Sequence, residues 1–341
     1  MKKNQFYRAT FLILFIFCAF FFINCAGRTA ARETRRISTE QTPVTAALNH
    51  NNSNQAENPK VYFTADISAA GLVAVYEALG LEADGNVAVK IHTGEPGNTH
   101  YLKPELIKNL IQKVNGTIVE ANTAYGGRRA SSQAHYQVAR DHGFTAIAPF
   151  VILDESRDIS VPVTGGKHLT ENIVGSRFNE FNFHIVLSHF KGHQMGGFGG
   201  ALKNLSIGYA STAGKNWIHT AGRSRTSMSG GNQNAFLESM AEAAKSIVEA
   251  ANGRILYINV MNHLSVDCDC NGRPAAPTMA DIGILASLDP VALDQACIDL
   301  VYAASDSGDL IQRIESRNGL LTIEHAAAIG VGKKNYEFIK L

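Results

Sequence analysis

Two histidines, two lysines and a glycine-rich turn are concentrated in Ser188-His189-Phe190-Lys191-Gly192-His193-Gln194-Met195-Gly196-Gly197-Phe198-Gly199-Gly200-Ala201-Leu202-Lys203-Asn204. Imidazoles at His189 and His193 are suited to a transition metal. Lys191 and Lys203 are suited to a carboxylate or phosphate. The backbone N–H groups of Gly196 to Gly200 would join them where a helix opens. The spacing fits neither a P-loop nor a dinucleotide fingerprint. Downstream, Lys215 and His219 are candidates for the same anion site. Upstream, Lys90-Ile91-His92-Thr93-Gly94-Glu95-Pro96-Gly97-Asn98 delivers a lysine and a histidine into a Gly/Pro turn. Lys191, His92 and His219 are therefore the candidate proton-transfer residues. Lys90, Gly199, Gly200, Lys203, Asn204 and Lys215 form the candidate anion- or cofactor-binding set. Arg128-Arg129 after Gly126-Gly127 reads equally as an anion contact or a solvated turn.

Cys268-Asp269-Cys270 is the second cluster, with Asp267 and His263 close in sequence. A bridge between cysteines two apart closes a strained ring, so a mutual disulfide is not expected. Cys268 and Cys270 are read as metal ligands beside His189 and His193, with a redox pair or a purely structural role as the alternatives. A full cluster needs about four ligands. Cys297 falls in a predicted helix and reads as a small buried hydrophobe.

The elements that must hold these residues alternate. Strands are predicted at 61–64, 86–92, 116–121, 145–153, 183–187, 255–260 and 281–285. Helices are predicted at 69–79, 103–114, 131–142, 237–251 and 290–303. Asp289-Pro290 supplies an N-cap and a proline at the first helical position. The pattern implies an α/β fold, a mostly parallel sheet with helices on both faces. Ligands in such sheets bind at the carboxyl ends of the strands. His92, Asn122, His189 and His263 all stand at such ends.

The chain has 341 residues, 45% of them hydrophobic, enough for a sizeable core. Its net charge of +1 gives no electrostatic case for nucleic acid. Residues 1–59 hold seven basic and three acidic residues, leaving 24 basic against 27 acidic in the body. Lys2, Lys3 and Arg8 precede the apolar run 9–23, and Asn24-Cys25-Ala26-Gly27 follows. Residues 1–27 thus read as a lipoprotein-type signal with Cys25 lipidated. The alternatives are an uncleaved anchor or a cleaved secretory signal. All three place the body outside the cytoplasm, and the lipoprotein and anchor readings place it in the cell envelope with the membrane as a partner. Residues 28–59 read as a disordered linker. Residues 60–341 read as an α/β domain of one or two lobes.

Taken in order, several of these segments resemble one bacterial and archaeal family, domain of unknown function 362. They are Lys90-Ile91-His92-x-Gly94-Glu95, His189-Phe190-Lys191-Gly192-His193, Gly199-Gly200-Ala201-Leu202-Lys203-Asn204, Gly214-Lys215 with His219, Cys268-Asp269-Cys270, and Asp281-Ile282-Gly283 to Ser287-x-Asp289-Pro290-Val291. The resemblance implies kinship with proteins that often carry a ferredoxin-type [4Fe–4S] domain. This chain has no C-x₂-C-x₂-C run, so no autonomous cluster of that type is expected. More distantly the family is similar to the nickel-pincer lactate racemase superfamily, an analogy of fold. The combined expectation is a metal- or cofactor-dependent enzyme, of redox or isomerase type, acting on an anionic small molecule. The alternative is a surface-tethered protein that binds a small anion or a metal without turnover.

Overall fold

The computed structural model describes residues 57–341. The signal or anchor at 1–27, its Cys25, and all of the linker but its last three residues lie outside the described residues. Those three, residues 57–59, adjoin the sheet, where the Pro59 carbonyl accepts from Glu337 N–H.

In chain order the strands are β1 (Lys60–Thr64), β2 (Val87–Lys90), β3 (Thr117–Glu120), β4 (Phe150–Ile152), β5 (Asp158–Pro162), β6 (Glu171–Gly175), β7 (Phe183–His189), β8 (Lys191–His193), β9 (Gly197–Gly199), β10 (Ile255–Met261), β11 (Gly283–Ser287) and β12 (Glu337–Lys340). Helices α1 (Ala69–Ala78), α2 (Pro104–Lys113) and α3 (Ser132–Asp141) connect the first strands. The short α4 (Ala201–Lys203) runs into a π-helical turn, Asn204–Gly208, and is followed by α5 (Thr212–His219) and α6 (Gln233–Ala251). Helices α7 (Pro290–Ala303), α8 (Gly308–Ser316) and α9 (Leu321–Ala328) complete the chain.

Eight strands form one sheet in the order β12-β1-β11-β10-β7-β2-β3-β4. From β4 to β10 all neighbours are parallel, while β11 runs antiparallel to both β10 and β1. The α/β expectation is met. The chain leaves β2 toward β3 and β4, then returns to β7 on the other side of β2. That reversal opens a crevice at the carboxyl ends of β2 and β7. The antiparallel turn from β10 to β11 keeps the intervening loop, with Cys268 and Cys270, at the same end.

Both faces of the sheet are covered, which is why its strands read as unbroken apolar runs. Val87, Val89, Ile185 and Ile258 pack with Leu72, Ile107 and Leu110 of α1 and α2. Ala88, Val119, Val186 and Tyr257 face the other way, onto Leu202, Ala244 and Leu293.

Helix α7 starts and stops where the sequence predicts. Asp289 Oδ1 accepts from the N–H groups of Val291 and Ala292. The strand expected at 145–153 shrinks to three residues, because the chain first makes a 3₁₀ turn at Phe144–Ala146. The strand expected at 281–285 lies two residues later. Asp281 is drawn out of it by accepting from His263 N–H at 2.7 Å.

Candidate functional site at the carboxyl ends of the parallel strands

A cavity of about 740 Å³ opens over the β2/β7 crevice. Lys90, His92, Ser188, His189, His193, Gly199, Gly200, Lys203, Asn204, Lys215, His219, Cys268 and Cys270 all line it. Stretches spread over nearly 200 positions of sequence therefore meet in one place. Lys191 is a predicted member that the cavity does not reach.

Asn204 is the bracket of this site. Its Oδ1 accepts from Lys90 Nζ at 3.0 Å, and its Nδ2 reaches the carbonyls of Lys90 and Leu187 and the Ser188 hydroxyl. One amide thus ties together the two strand ends where they part. The π-helical turn aims Asn204 this way, and such turns recur at functional sites. Gly208 makes the arrangement possible. A Cβ there would stand 2.5 Å from Asn204 Oδ1 and 2.9 Å from Lys90 Nζ.

Three lysines line the cavity, and burial makes each a weaker base than in water. Desolvation lowers Lys90 to about 7 despite the opposing pull of Glu120. Burial, reinforced by Arg129, lowers Lys203 to about 8. Burial also lowers Lys215 to about 8, with Asp154 working against it. Lys90 and Lys215 have carbonyl partners, Ile91 and Ala210. Among the described residues, the Lys203 ammonium has no hydrogen-bond or ion-pair partner and faces the cavity.

The histidines divide by tautomer. His219 Nδ1 donates to the Lys215 carbonyl at 2.7 Å, so its Nε2 keeps a lone pair. Burial lowers His219 to about 4 and keeps it neutral. His193 is the converse. Its Nδ1 accepts from Gly196 N–H at 2.8 Å, which puts the ring proton on Nε2. Burial, then Lys203, holds His193 well below the usual histidine range. His189 is spent on structure. Its Nε2 donates to the Asn262 carbonyl and its Nδ1 lies 2.8 Å from Asp269 Oδ2. Neither nitrogen is left for the metal expected there. His92 is kept neutral by burial, then by Arg129, whose Nη1 lies 3.0 Å from its Nε2.

Lys191 also differs from expectation. Its ammonium, 1% exposed, donates to Asp269 Oδ1 at 2.9 Å and to the His100 carbonyl at 2.6 Å. It is fully engaged in fixing the Asp269 loop. Burial would raise the Asp269 carboxyl, but His189 and then Lys191 outweigh it and hold it far below the usual carboxylate range.

The glycine loop has a ligand already. Asp294 of α7 accepts from Ala201 N–H at 2.7 Å and Leu202 N–H at 2.9 Å, so an internal carboxylate takes the helix start expected for an anion. Burial raises this carboxyl to about 6.

Cys268 and Cys270 form a disulfide with Cα atoms 5.2 Å apart, contrary to the expectation from ring strain. The loop is pinned in a folded-back shape by Asp269, whose carbonyl also accepts from Glu95 N–H at 2.9 Å. That anchoring is what places the two sulfurs together. A nitrogen of His193 and both sulfurs lie within 4.8 Å of one another. The three are grouped closely enough for a metal, but the sulfurs are bridged to each other and Gly196 N–H occupies His193 Nδ1.

Arg129 is the main residue that sequence reasoning undervalued. It is 2% exposed and donates to Glu120 at 2.7 Å, Glu95 at 3.1 Å and His135 at 3.1 Å. Burial would raise Glu120, yet Arg129 and His135 hold it well below the carboxylate range. The only sequence signal was an Arg in a glycine turn downstream of two acidic residues, Glu95 in the loop after β2 and Glu120 at the end of β3. Asn122 supports this network through Ser132 and His135, and neither it nor His263 lines the cavity.

No curated protein matches the chain. Several solved structures show a partial likeness. One is the lactate racemase apoprotein from Thermoanaerobacterium thermosaccharolyticum, at 15% identity and a TM-score of 0.38 over 60% of this chain and 50% of that one. Another is a Thermotoga maritima protein, at 13% identity and a TM-score of 0.39 over 76% of this chain and 58% of that one. The chain thus spans about half the length of the structures it matches. Residues 87–299, which include every cavity residue named above, match a family model described as Domain of unknown function (DUF362), and the chain belongs to that family.

Proposed function

We propose that the cavity binds a small anionic molecule and transfers a proton on it, as an enzyme of isomerase or redox type. Lys203 carries the reading. A half-buried ammonium without a partner among the described residues costs free energy unless a ligand anion completes it. Lys203 then has two uses. Protonated, it holds a carboxylate or phosphate; with its pKa near 8, it also exchanges protons close to neutrality. His219 Nε2 is the complementary acceptor, and His193 Nε2–H a complementary donor.

The donor set fits a metal in part. His219 has the Nδ1–H to carbonyl bond that orients metal-binding imidazoles. Cys268 and Cys270 become ligands only as thiols. A transition metal or metal-containing cofactor bound there would supply Lewis-acid or redox chemistry.

The test uses the full chain with a panel of small carboxylates and phosphate monoesters in D₂O. The expected result is deuterium wash-in at a C–H next to the anionic group, followed by proton NMR and lost in Lys203→Met. Tight binding without exchange would favour a surface-tethered binding protein, supported by the same lysines. No binding at all would sink both.

The leader supports tethering outside the cytoplasm. Membrane fractions should hold the wild-type chain, and Cys25→Ser should abolish metabolic labelling by a fatty acid. Labelling that persists in Cys25→Ser would remove the lipoprotein reading.

A further inference from the structure

We propose that Cys268–Cys270 is a redox-active disulfide, reduced in the native protein by small thiols that enter the cavity, with the His193 N–H as a hydrogen-bond donor to the leaving sulfur. The inference concerns the same cavity as the proton-transfer reading, but its readout is thiol chemistry and does not depend on anion binding.

The argument begins with what this bridge cannot do. Its cysteines are two residues apart, so it closes almost no loop and restrains the unfolded chain very little. The loop is already fixed without it. Asp269 is held by Lys191 Nζ, faces His189 Nδ1, and its carbonyl accepts from Glu95. A covalent bond that adds little to folding stands instead on a cavity wall, which both cysteines line. Cys297 is the contrast. It is fully buried, and burial drives its thiol well above the usual range.

The surroundings favour exchange. A nitrogen of His193 lies within 4.8 Å of each sulfur. Gly196 N–H occupies its Nδ1, so the proton sits on Nε2. Lys203 lines the same space and adds positive charge. An N–H donor and a cation both stabilise a departing thiolate.

The step balances as ordinary exchange. A thiolate RS⁻ attacks one sulfur, the Cys268–Cys270 bond breaks, and the other cysteine leaves as a thiolate that takes up a proton. A second thiol then displaces the first as RS–SR. Overall, the disulfide and two RSH give two cysteine thiols and RSSR. Two electrons pass from the external thiols to the protein, and their two protons follow.

The experiment treats the folded full chain with 2-mercaptoethanol, alkylates, and reads the Cys268/Cys270 and Cys297 peptides by mass spectrometry. The expected result is reversible reduction of the pair while Cys297 stays unmodified, at a rate at least equal to that of the same bridge in the urea-unfolded chain. His193→Phe should slow reduction about tenfold, and His193→Gln, which keeps an N–H donor, should restore most of it. Reduction that requires unfolding overturns the proposal on the wild-type chain alone. A His193→Phe rate within twofold of wild type removes His193 from it.

Discussion

Lys90 and Asn204, 114 residues apart, meet at 3.0 Å across the point where β2 and β7 part. Their contact turns a reversal of strand order into a walled site. Gly208→Ala tests it, because the added Cβ collides with both partners. The expected cost is about 1–3 kcal/mol of stability, the usual range for overpacking. Thermal unfolding should show that loss, and anion binding should fall at least tenfold. Retained binding would show that the bracket is not needed for the site.

The lysines make opposite predictions for binding and for stability. Their pKa values near 7 and 8 mean that the ammonium charge is lost as pH rises through that range. Anion affinity should therefore drop between about pH 7 and pH 9. In the unfolded chain lysine holds its proton to about 10.4. Between those limits the unfolded state binds more protons, so the ligand-free protein should gain stability as pH rises from 7 toward 10. Calorimetry across that window checks both signs.

Lys203→Met sharpens the same point. Removing an ammonium without a partner should raise the melting temperature of the ligand-free protein at pH 7 while abolishing anion binding. A destabilised variant would mean that Lys203 has a structural partner after all.

Arg129→Ala should be far more harmful than Arg128→Ala. It leaves Glu120 and Glu95 buried without their counter-ion, a loss of about 3–5 kcal/mol. Arg128 is exposed and bonds only Asp141 among the described residues, so its removal should cost less than about 1 kcal/mol. Urea unfolding of the two variants gives the comparison.

Reduction should create a metal site that the oxidised protein lacks. After reduction and removal of thiol, cadmium should produce a thiolate absorption band at one equivalent, absent in Cys268→Ser and in the oxidised chain. An equal band in the oxidised chain would assign the metal elsewhere.

Much of this was legible in the sequence, for physical reasons that can be named. Val87 to Lys90 and Ile255 to Met261 are buried on both faces, so their apolar runs announce strands of a parallel sheet. Asp289-Pro290 announces α7 because capping is local. Lys90, Lys203, Lys215 and His219 were found by type and by their place at element ends. What stayed hidden depends on partners distant in sequence. Lys191 and Lys203 look alike in the chain, and only the position of Asp269 makes one a clamp and the other a free cation. Arg129 resembled a turn residue until Glu95 and Glu120 converged on it. The Cys268–Cys270 bridge depended on Asp269 being tied down from three other segments.

Asp294 has one more consequence. It fastens the start of α4 from a helix that follows it by more than ninety residues. As the chain emerges from the ribosome, the glycine loop and Lys203 appear long before their anchor does. The glycine loop is therefore among the last features to be fixed, and a chain stopped short of α7 would carry every cavity residue named here without the carboxylate that holds the start of α4.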